Sequence, residues 1–440
     1  SLHKWMALRR KALQDGKYLR PLSPMKQLAY ITLIALVAVS GAANAQDFSA
    51  PTDSTRYILD TVLFLFGGFC GLLFVFSFAL RDAGLARLQN APAVCLRMVG
   101  AVGLGAIVFW LFGYNLIYTV EPGGFLGEFN SWSPNDLDAA ATGRSAGSHW
   151  LFQFGIALIP AAIVSSAVSE RVRLWPYLIF AAAFTGLIHP IIASWEWGGG
   201  YLDQEWRFVD LGAAAIHIAG GAAALAAILI VGPRPGKYKV AAPYSTGSTA
   251  LPISAFATTL ILLALIGIAA AMTETAASVE AVIVISVIAV NILIAAAAGS
   301  FTALLLTQIV YKRTGLITSL AGCIGGVVAL SADPLHPEIW QACMIGAVGG
   351  VIVTVASPFL DRFKIDDAGF VVASHFLCGV WGVIIVPWHN PDAGFLSQFV
   401  GAGAISAFAF AMSLFFWVAF KYSVGVRAKD AWIDDDADME

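Results

Sequence analysis

Apolar runs of roughly 20 residues, the length a helix needs to cross a bilayer, recur between about residue 57 and residue 420. A soluble chain would be about one-quarter charged. Here charged residues make up 12 % and hydrophobic residues 59 %, and mean hydropathy is +0.78. The chain therefore reads as an all-α polytopic membrane protein. Eleven spans are expected, at 57–79, 98–119, 150–168, 175–194, 211–232, 251–272, 279–310, 315–331, 339–359, 369–387 and 394–420. The run 279–310 is long enough to tilt or to outrun the bilayer.

The net charge of −3 says little, but its distribution says more. With the start of the first span outside, alternate loops hold fifteen basic residues: Arg81, Arg87, Arg97, Arg171, Arg173, Arg234, Lys237, Lys239, Lys312, Arg313, Arg362, Lys364, Lys421, Arg427 and Lys429. The opposite loops hold three, Arg56, Arg144 and Arg207. Cytoplasmic loops carry the excess of Lys and Arg, so the N-terminus is expected outside and the tail 421–440 in the cytoplasm.

"MKQLAYITLIALVAVSGAANAQ" (25–46) combines a lysine, a short apolar core and a small-x-small "ANA". It reads as a secretory signal peptide cleaved after Ala45, and the rival reading is a twelfth span. Residues 1–24 then read as an extension, an upstream-frame artefact or a remnant, leaving 57–420 as the eleven-helix membrane domain. The five cysteines are scattered without paired spacing and read as small buried hydrophobes. There is no Walker loop, nucleophile elbow, metal-ligand cluster, cofactor motif or nucleic-acid signature. An enzyme is not expected.

Two stretches repeat one pattern. "DLGAAAIHIAGG" (210–221) and "DAGFVVASHFLCG" (367–379) both begin Asp-x-Gly, place a histidine seven or eight residues on, and carry Gly221 or Gly379 four residues past it. Asp210 opens the fifth span and Asp367 the tenth. Five spans per copy is odd, so the second copy crosses in the opposite direction, which predicts two inverted five-helix repeats plus an eleventh helix. At 1.5 Å per residue, His217 lies roughly 10 Å from its end of the membrane and His375 roughly 12 Å from the other. The two imidazoles approach the midplane from opposite sides. A lone intramembrane histidine is often a helix–helix hydrogen bond, but a symmetry-related pair points to a substrate or proton pathway. Neutral imidazoles donate and accept hydrogen bonds and can pass a proton. They suit a small neutral molecule or a proton, and suit potassium or sodium poorly.

Several stretches resemble the Amt/Mep/Rh ammonium transporter family, in its Amt-like branch: "VFWLFGYNLIY" (108–118), "HWLFQFGIALIPAAIVSSAVSERVRLWPYLIF" (149–180), "WGGGYL" (197–202), "DLGAAAIHIAGG", "GPRPGKY" (232–238), "FKIDDAG" (363–369) and "SHFLCG" (374–379). The resemblance implies a homotrimer in a bacterial inner membrane with a pore through each protomer. It matches His217 and His375 to the twin pore histidines, Asp210 to the acidic residue that organises the outer vestibule, and Trp197 to the ammonium recruitment site. A cation–π contact there can hold ammonium. Losing a proton and crossing as ammonia costs less than carrying a cation through the dry centre, and potassium has no proton to lose.

Departures accompany the match. The two stacked phenylalanines of the family's outer gate fall on Ile156 and Ala271, the recruitment hydroxyl on Thr275, a common tyrosine on His189, and an acidic residue on Phe370. Without the family match, Trp197 would read as an interfacial tryptophan. Glu196 reads equally as solvated or functional, and His149, His336 and His389 as ordinary interfacial residues. The tail "GVRAKDAWIDDDADME" (425–440) begins like the family's regulatory tail, which implies a signalling partner of the PII type, or else is a solvated terminus. Two other readings stay open: an ammonium sensor with little flux, and a channel for methylamine or carbon dioxide.

Overall fold

The structure, a computed structural model, describes residues 50–137, 143–238 and 250–428. The chain divides into units Ser1–Ala50 and Pro51–Glu440, and of the first only Ala50 is described. The signal-peptide reading of 25–45, the extension 1–24 and the acidic tail from 429 on lie outside the described residues.

Among the described residues, nine helices are long and apolar enough to cross a membrane: α1 (Asp53–Leu85), α2 (Leu88–Tyr118), α3 (Ala146–Ala167), α4 (Leu174–Ser194), α5 (Ala213–Val231), α6 (Leu251–Ala271), α7 (Val279–Tyr311), α9 (Ile339–Arg362) and α11 (Phe395–Ser423). Two shorter apolar helices, α8 (Leu316–Leu330) and α10 (Val372–Trp388), complete the set. Helix starts follow local chemistry. Thr52 Oγ1 accepts the Thr55 N–H, Ser278 accepts the Ala281 N–H, and Glu338 with Gln341 makes a capping box.

The first two helices run further than their apolar runs predict. Arg81 lies within α1 and Arg97 within α2, so neither is a loop residue. Hydropathy ends a span at the first charge, whereas a helix continues where that charge finds a partner. Arg81 pairs with Asp82, and the Arg97 guanidinium lies 5.9 Å from the Tyr177 ring. Arg362, Lys421 and, on the opposite side, Arg56 also fall inside helices, so among the described residues nine basic loop residues oppose two, Arg144 and Arg207.

Burial separates inner from outer helices. The apolar windows of α3 and α5 are 89 % and 83 % buried, and those of α7 and α11 only 28 %. The outer helices present side chains such as Ile283, Phe301 and Phe399 outward. That is the pattern expected where lipid replaces water.

α5 and α10 run antiparallel. Past the end of α5, Arg234 binds Asp366, six residues ahead of α10. Ahead of α5, Leu211 donates its N–H to Ala332 at 2.8 Å, beside Asp333, and Asp333 lies 3.8 Å from His389 at the far end of α10. Both helices begin with a widened π turn, Ala213–Ile218 and Val372–Leu377, and each turn contains the histidine. Glycine allows the close crossing: a Cβ on Gly221 would fall 2.5 Å from the Phe376 nitrogen, and one on Gly379 would fall 2.9 Å from Ile218.

Candidate functional site: a histidine pair between two ends

The two π turns bring His217 and His375 together. Their Nδ1 atoms are 3.1 Å apart, their ring centroids 5.0 Å, and both residues are buried. One Nδ1 must donate and the other accept, so the accepting ring is neutral and carries its proton on Nε2. His375 Nε2 is buried without a hydrogen-bond partner. Phe74 and Phe78 of α1 stack 5.3 Å apart and face the pair, at 6.5 Å from His217 and 5.6 Å from His375.

A cavity of about 370 Å³ lies at the α5-start end, lined among others by Phe152, Glu196, Trp197, Asp210, Leu211 and Ala271. A second cavity of about 20 Å³ shares Leu211 with it and reaches His217 through Gly212 and Ile216. Together they approach the histidine pair from one side.

Asp210 is tied into this wall. Its carboxylate accepts the N–H groups of Ala214 at 2.9 Å and Ala215 at 3.0 Å, and its carbonyl accepts the Trp197 indole N–H at 3.1 Å. Burial pushes the Asp210 carboxyl up to about 6, against those backbone N–H groups, which favour its charged form. Glu196 is not solvated: Oε1 accepts the Asp210 N–H at 2.7 Å, and Oε2 is buried without a partner. Burial and the adjacent Asp210 raise its carboxyl well above the usual range.

Other residues take unexpected positions. Thr275 turns its hydroxyl to Asp60, at 2.8 Å, and the cavity lining reaches its neighbour Glu274 instead. Ile156 is wholly buried in the core. The aromatic at the cavity is Phe152, one turn before Ile156, edge-on to Phe64 at 5.2 Å. His149 is a cavity residue rather than an ordinary interfacial one: it meets the Tyr114 hydroxyl at 2.7 Å. His189 bonds the Ala215 carbonyl at 3.1 Å and lies 6.0 Å from Trp197. His336 binds Asp333 at 2.8 Å, and His389 is buried beside the same carboxylate. Cys95 and Cys343 are exposed, unlike the buried Cys70 and Cys378. A sequence reading misses Phe152, Glu196 and His149 because only their spacing from Asp210 and Trp197 in three dimensions distinguishes them.

The α10-start end is closed by charge. Asp366 accepts from Arg171 at 2.5 Å, from Arg234 at 2.9 Å and from Lys237 at 3.0 Å. Burial alone would raise this carboxyl, but the three cations hold it far below the usual range. Burial likewise lowers Arg171 to about 10, against the pull of Asp366. The described start of the tail docks here: Arg427 donates to the carbonyls of Val231 and Pro233, and Arg173 N–H donates to Val426. Asp367 accepts the N–H groups of Val371, Val372 and Ala373 at 2.8 to 3.2 Å.

Comparison with known proteins agrees with this architecture. A Synechocystis sp. protein named as a putative ammonium transporter is 32 % identical over 89 % of this chain and 90 % of its own length. Ammonium transporter Amt2 of Archaeoglobus fulgidus is 28 % identical over 81 % and 77 %. The fold matches a solved structure titled Sensor Amt Protein, with a TM-score of 0.79 at 23 % identity, over 86 % of this chain and 96 % of that one. It also matches Mep2 of Candida albicans, with a TM-score of 0.76 at 20 % identity, over 86 % and 88 %. The model of the Ammonium Transporter Family matches residues 62–439, and the chain belongs to that family.

Proposed function

We propose that this protein is an ammonium transporter that takes up ammonium at the Trp197–Asp210 cavity, removes its proton, and passes ammonia along His217 and His375. The observation that carries the reading is the 3.1 Å contact between two buried imidazoles beneath a cavity walled by Trp197, Glu196 and Asp210. An indole face and two carboxyl groups attract a small cation. The dry stretch beyond them disfavours it, and an imidazole pair accommodates a neutral hydrogen-bonding molecule. Trp197 and Asp210 recruit. Thr275 acts through Asp60 and Glu274, and Ile156 and Ala271 leave Phe152 as the aromatic at the entrance.

In this reading all eleven apolar helices cross a bacterial inner membrane, as two inverted five-helix repeats plus α11. The cavity faces outward. The cluster of Arg171, Arg173, Arg234, Lys237 and Arg427 around Asp366 supports placing that end in the cytoplasm. The protein works as a homotrimer, each protomer with its own path, and its tail, docked on the loops after α3 and α5, is the place for a PII-type partner.

The test is charge movement after an ammonium pulse on proteoliposomes holding the full chain, with internal pH recorded in the same vesicles. A saturable ammonium current, or an internal pH change without current, is the expected result. Binding without either would leave only a sensor.

A further inference from the structure

Beyond the histidine pair, on the side away from the large cavity, lies a buried ion pair in an otherwise apolar wall. Arg81 is 1 % and Asp82 3 % exposed. Arg81 Nη1 donates to Asp82 Oδ1 at 2.9 Å, and Nη2 donates to the Gly369 carbonyl at 2.6 Å, just ahead of α10. Its guanidinium carbon lies 5.2 Å from the centre of the Phe78 ring, which is itself 5.6 Å from the His375 ring. A fixed positive charge thus stands one aromatic ring past the second histidine.

Asp82 continues in the other direction. Its Oδ1 also accepts from the Ser166 hydroxyl at 2.9 Å, while Oδ2 is buried with no hydrogen-bond partner. Asp82 lines a cavity of about 20 Å³ with Ser166, Gly369, Glu170 and Arg234, which leads toward the basic cluster around Asp366. That volume holds one water-sized molecule.

Stability alone is a poor account of this pair. Desolvating two charges cancels most of their attraction, and apolar side chains of similar size often serve a buried position as well. The arrangement fits a role in the path. We propose that the Arg81–Asp82 pair is the inner specificity element of the transporter: Arg81 turns back any cation that passes His375 intact, and Asp82 Oδ2 accepts a hydrogen bond from the emerging ammonia. Two positive charges a few ångströms apart repel strongly where the dielectric is low, whereas neutral ammonia feels no such barrier. Ammonia has N–H groups to offer the bare Asp82 oxygen, while the rejection of potassium rests on the Arg81 charge. The inference rests on the pathway proposed above.

The experiment compares potassium-evoked current with ammonium transport, read as current or as internal pH change, in proteoliposomes for the wild type and for Arg81→Gln combined with Asp82→Asn, which removes both charges. The neutral pair is expected to lower the ratio of ammonium transport to potassium current by at least about tenfold. Arg81→Lys, which keeps the charge, is expected to keep the wild-type ratio. Should the Gln/Asn pair fail to fold, Arg81→Met with Asp82→Leu removes the charges without needing buried hydrogen bonds, and the same ratio is read. A folded neutral variant that still excludes potassium like the wild type would overturn the inference alone, as would Arg81→Lys losing selectivity as fully as the neutral pair. A wild type with neither ammonium current nor internal pH change would instead remove the transport reading, and this inference with it.

Discussion

The starts of α5 and α10 are two versions of one device. Each has an aspartate whose carboxylate collects the first N–H groups of the helix, a widened π turn, and a histidine at the end of that turn. Their surroundings differ. The α5 copy opens to a cavity of about 370 Å³ with an indole and two carboxyl groups, whereas the α10 copy is closed by Arg81 and by the Asp366 cluster. The repeat supplies the symmetric centre, and the unlike environments make its two ends chemically different. In the proposed reading, ammonium is attracted at one end, and no intact cation is welcome at the other.

Replacing the histidines tests whether the two copies act as one unit. Positioned proton transfer contributes roughly 10²–10⁴-fold in rate. His217→Ala and His375→Ala are each expected to cut ammonium current at least about a hundredfold. The double variant should be little worse than either single one, as measured by current in proteoliposomes. Additive losses would mean that the imidazoles work separately.

The aspartates separate the copies. Loss of a helix-capping side chain costs about 0.5–2 kcal/mol, and each buried N–H left unpaired adds to that. Asp367→Ala, which abandons three N–H groups, is expected to destabilise the protein by about 3 kcal/mol, and Asp210→Ala, which abandons two, by about 2 kcal/mol, in unfolding measured in detergent. Only Asp210→Ala should also raise the KM for ammonium, since only that copy faces the entrance cavity.

How much of this was legible follows from the kind of signal involved. The apolar helices, the Asp-x-Gly…His repeat and the histidine pair are carried by periodicity and spacing, which survive in one dimension. The π turns are not, because nothing in "AAAIHI" differs from ordinary helix-forming sequence. Thr275 illustrates a second limit: its hydroxyl was expected at the cavity, yet Asp60, 215 residues away, takes it. Glu196 illustrates a third. Beside Trp197 it looked equally solvated or functional, and only the fold brings its carboxylate against the Asp210 N–H. Arg81 is placed in a loop by the sequence because a hydropathy count cannot tell a paired charge inside a helix from one in water.

Acidity sharpens the contrast between the two ends. Burial holds the Asp210 carboxyl at about 6, against the backbone N–H groups that favour its charged form, and burial with the neighbouring Asp210 raises the Glu196 carboxyl as well. The anionic form exists above that value and is lost as pH falls through it. The KM for ammonium is therefore expected to rise by up to roughly tenfold per pH unit below about 6, since one proton is taken up. In Asp210→Asn the profile should be flat across that range. The Asp366 cluster, held far below the usual range, should contribute no inflection there.

The smallest effect concerns the corner that each copy turns before its π helix. At α5 the corner is Gly212, with φ +145°, and at α10 it is Phe370, with φ +58°. Glycine adopts positive φ without penalty, whereas an L-residue in the left-handed region costs roughly 1–2 kcal/mol. The α10 copy carries that strain, and the Phe370 side chain lines a cavity of about 490 Å³ beside Thr354 and Asp361. Gly212→Ala is expected to destabilise the protein by about 2 kcal/mol. Phe370→Gly gains strain relief but gives up chain stiffness of about 0.4–1 kcal/mol and some packing, and should change stability by less than about 1 kcal/mol. Unfolding midpoints in one detergent measure both. If Phe370→Gly destabilised as much as Gly212→Ala, the ring would be holding the α10 corner in place, and the two copies would be fixed by different forces.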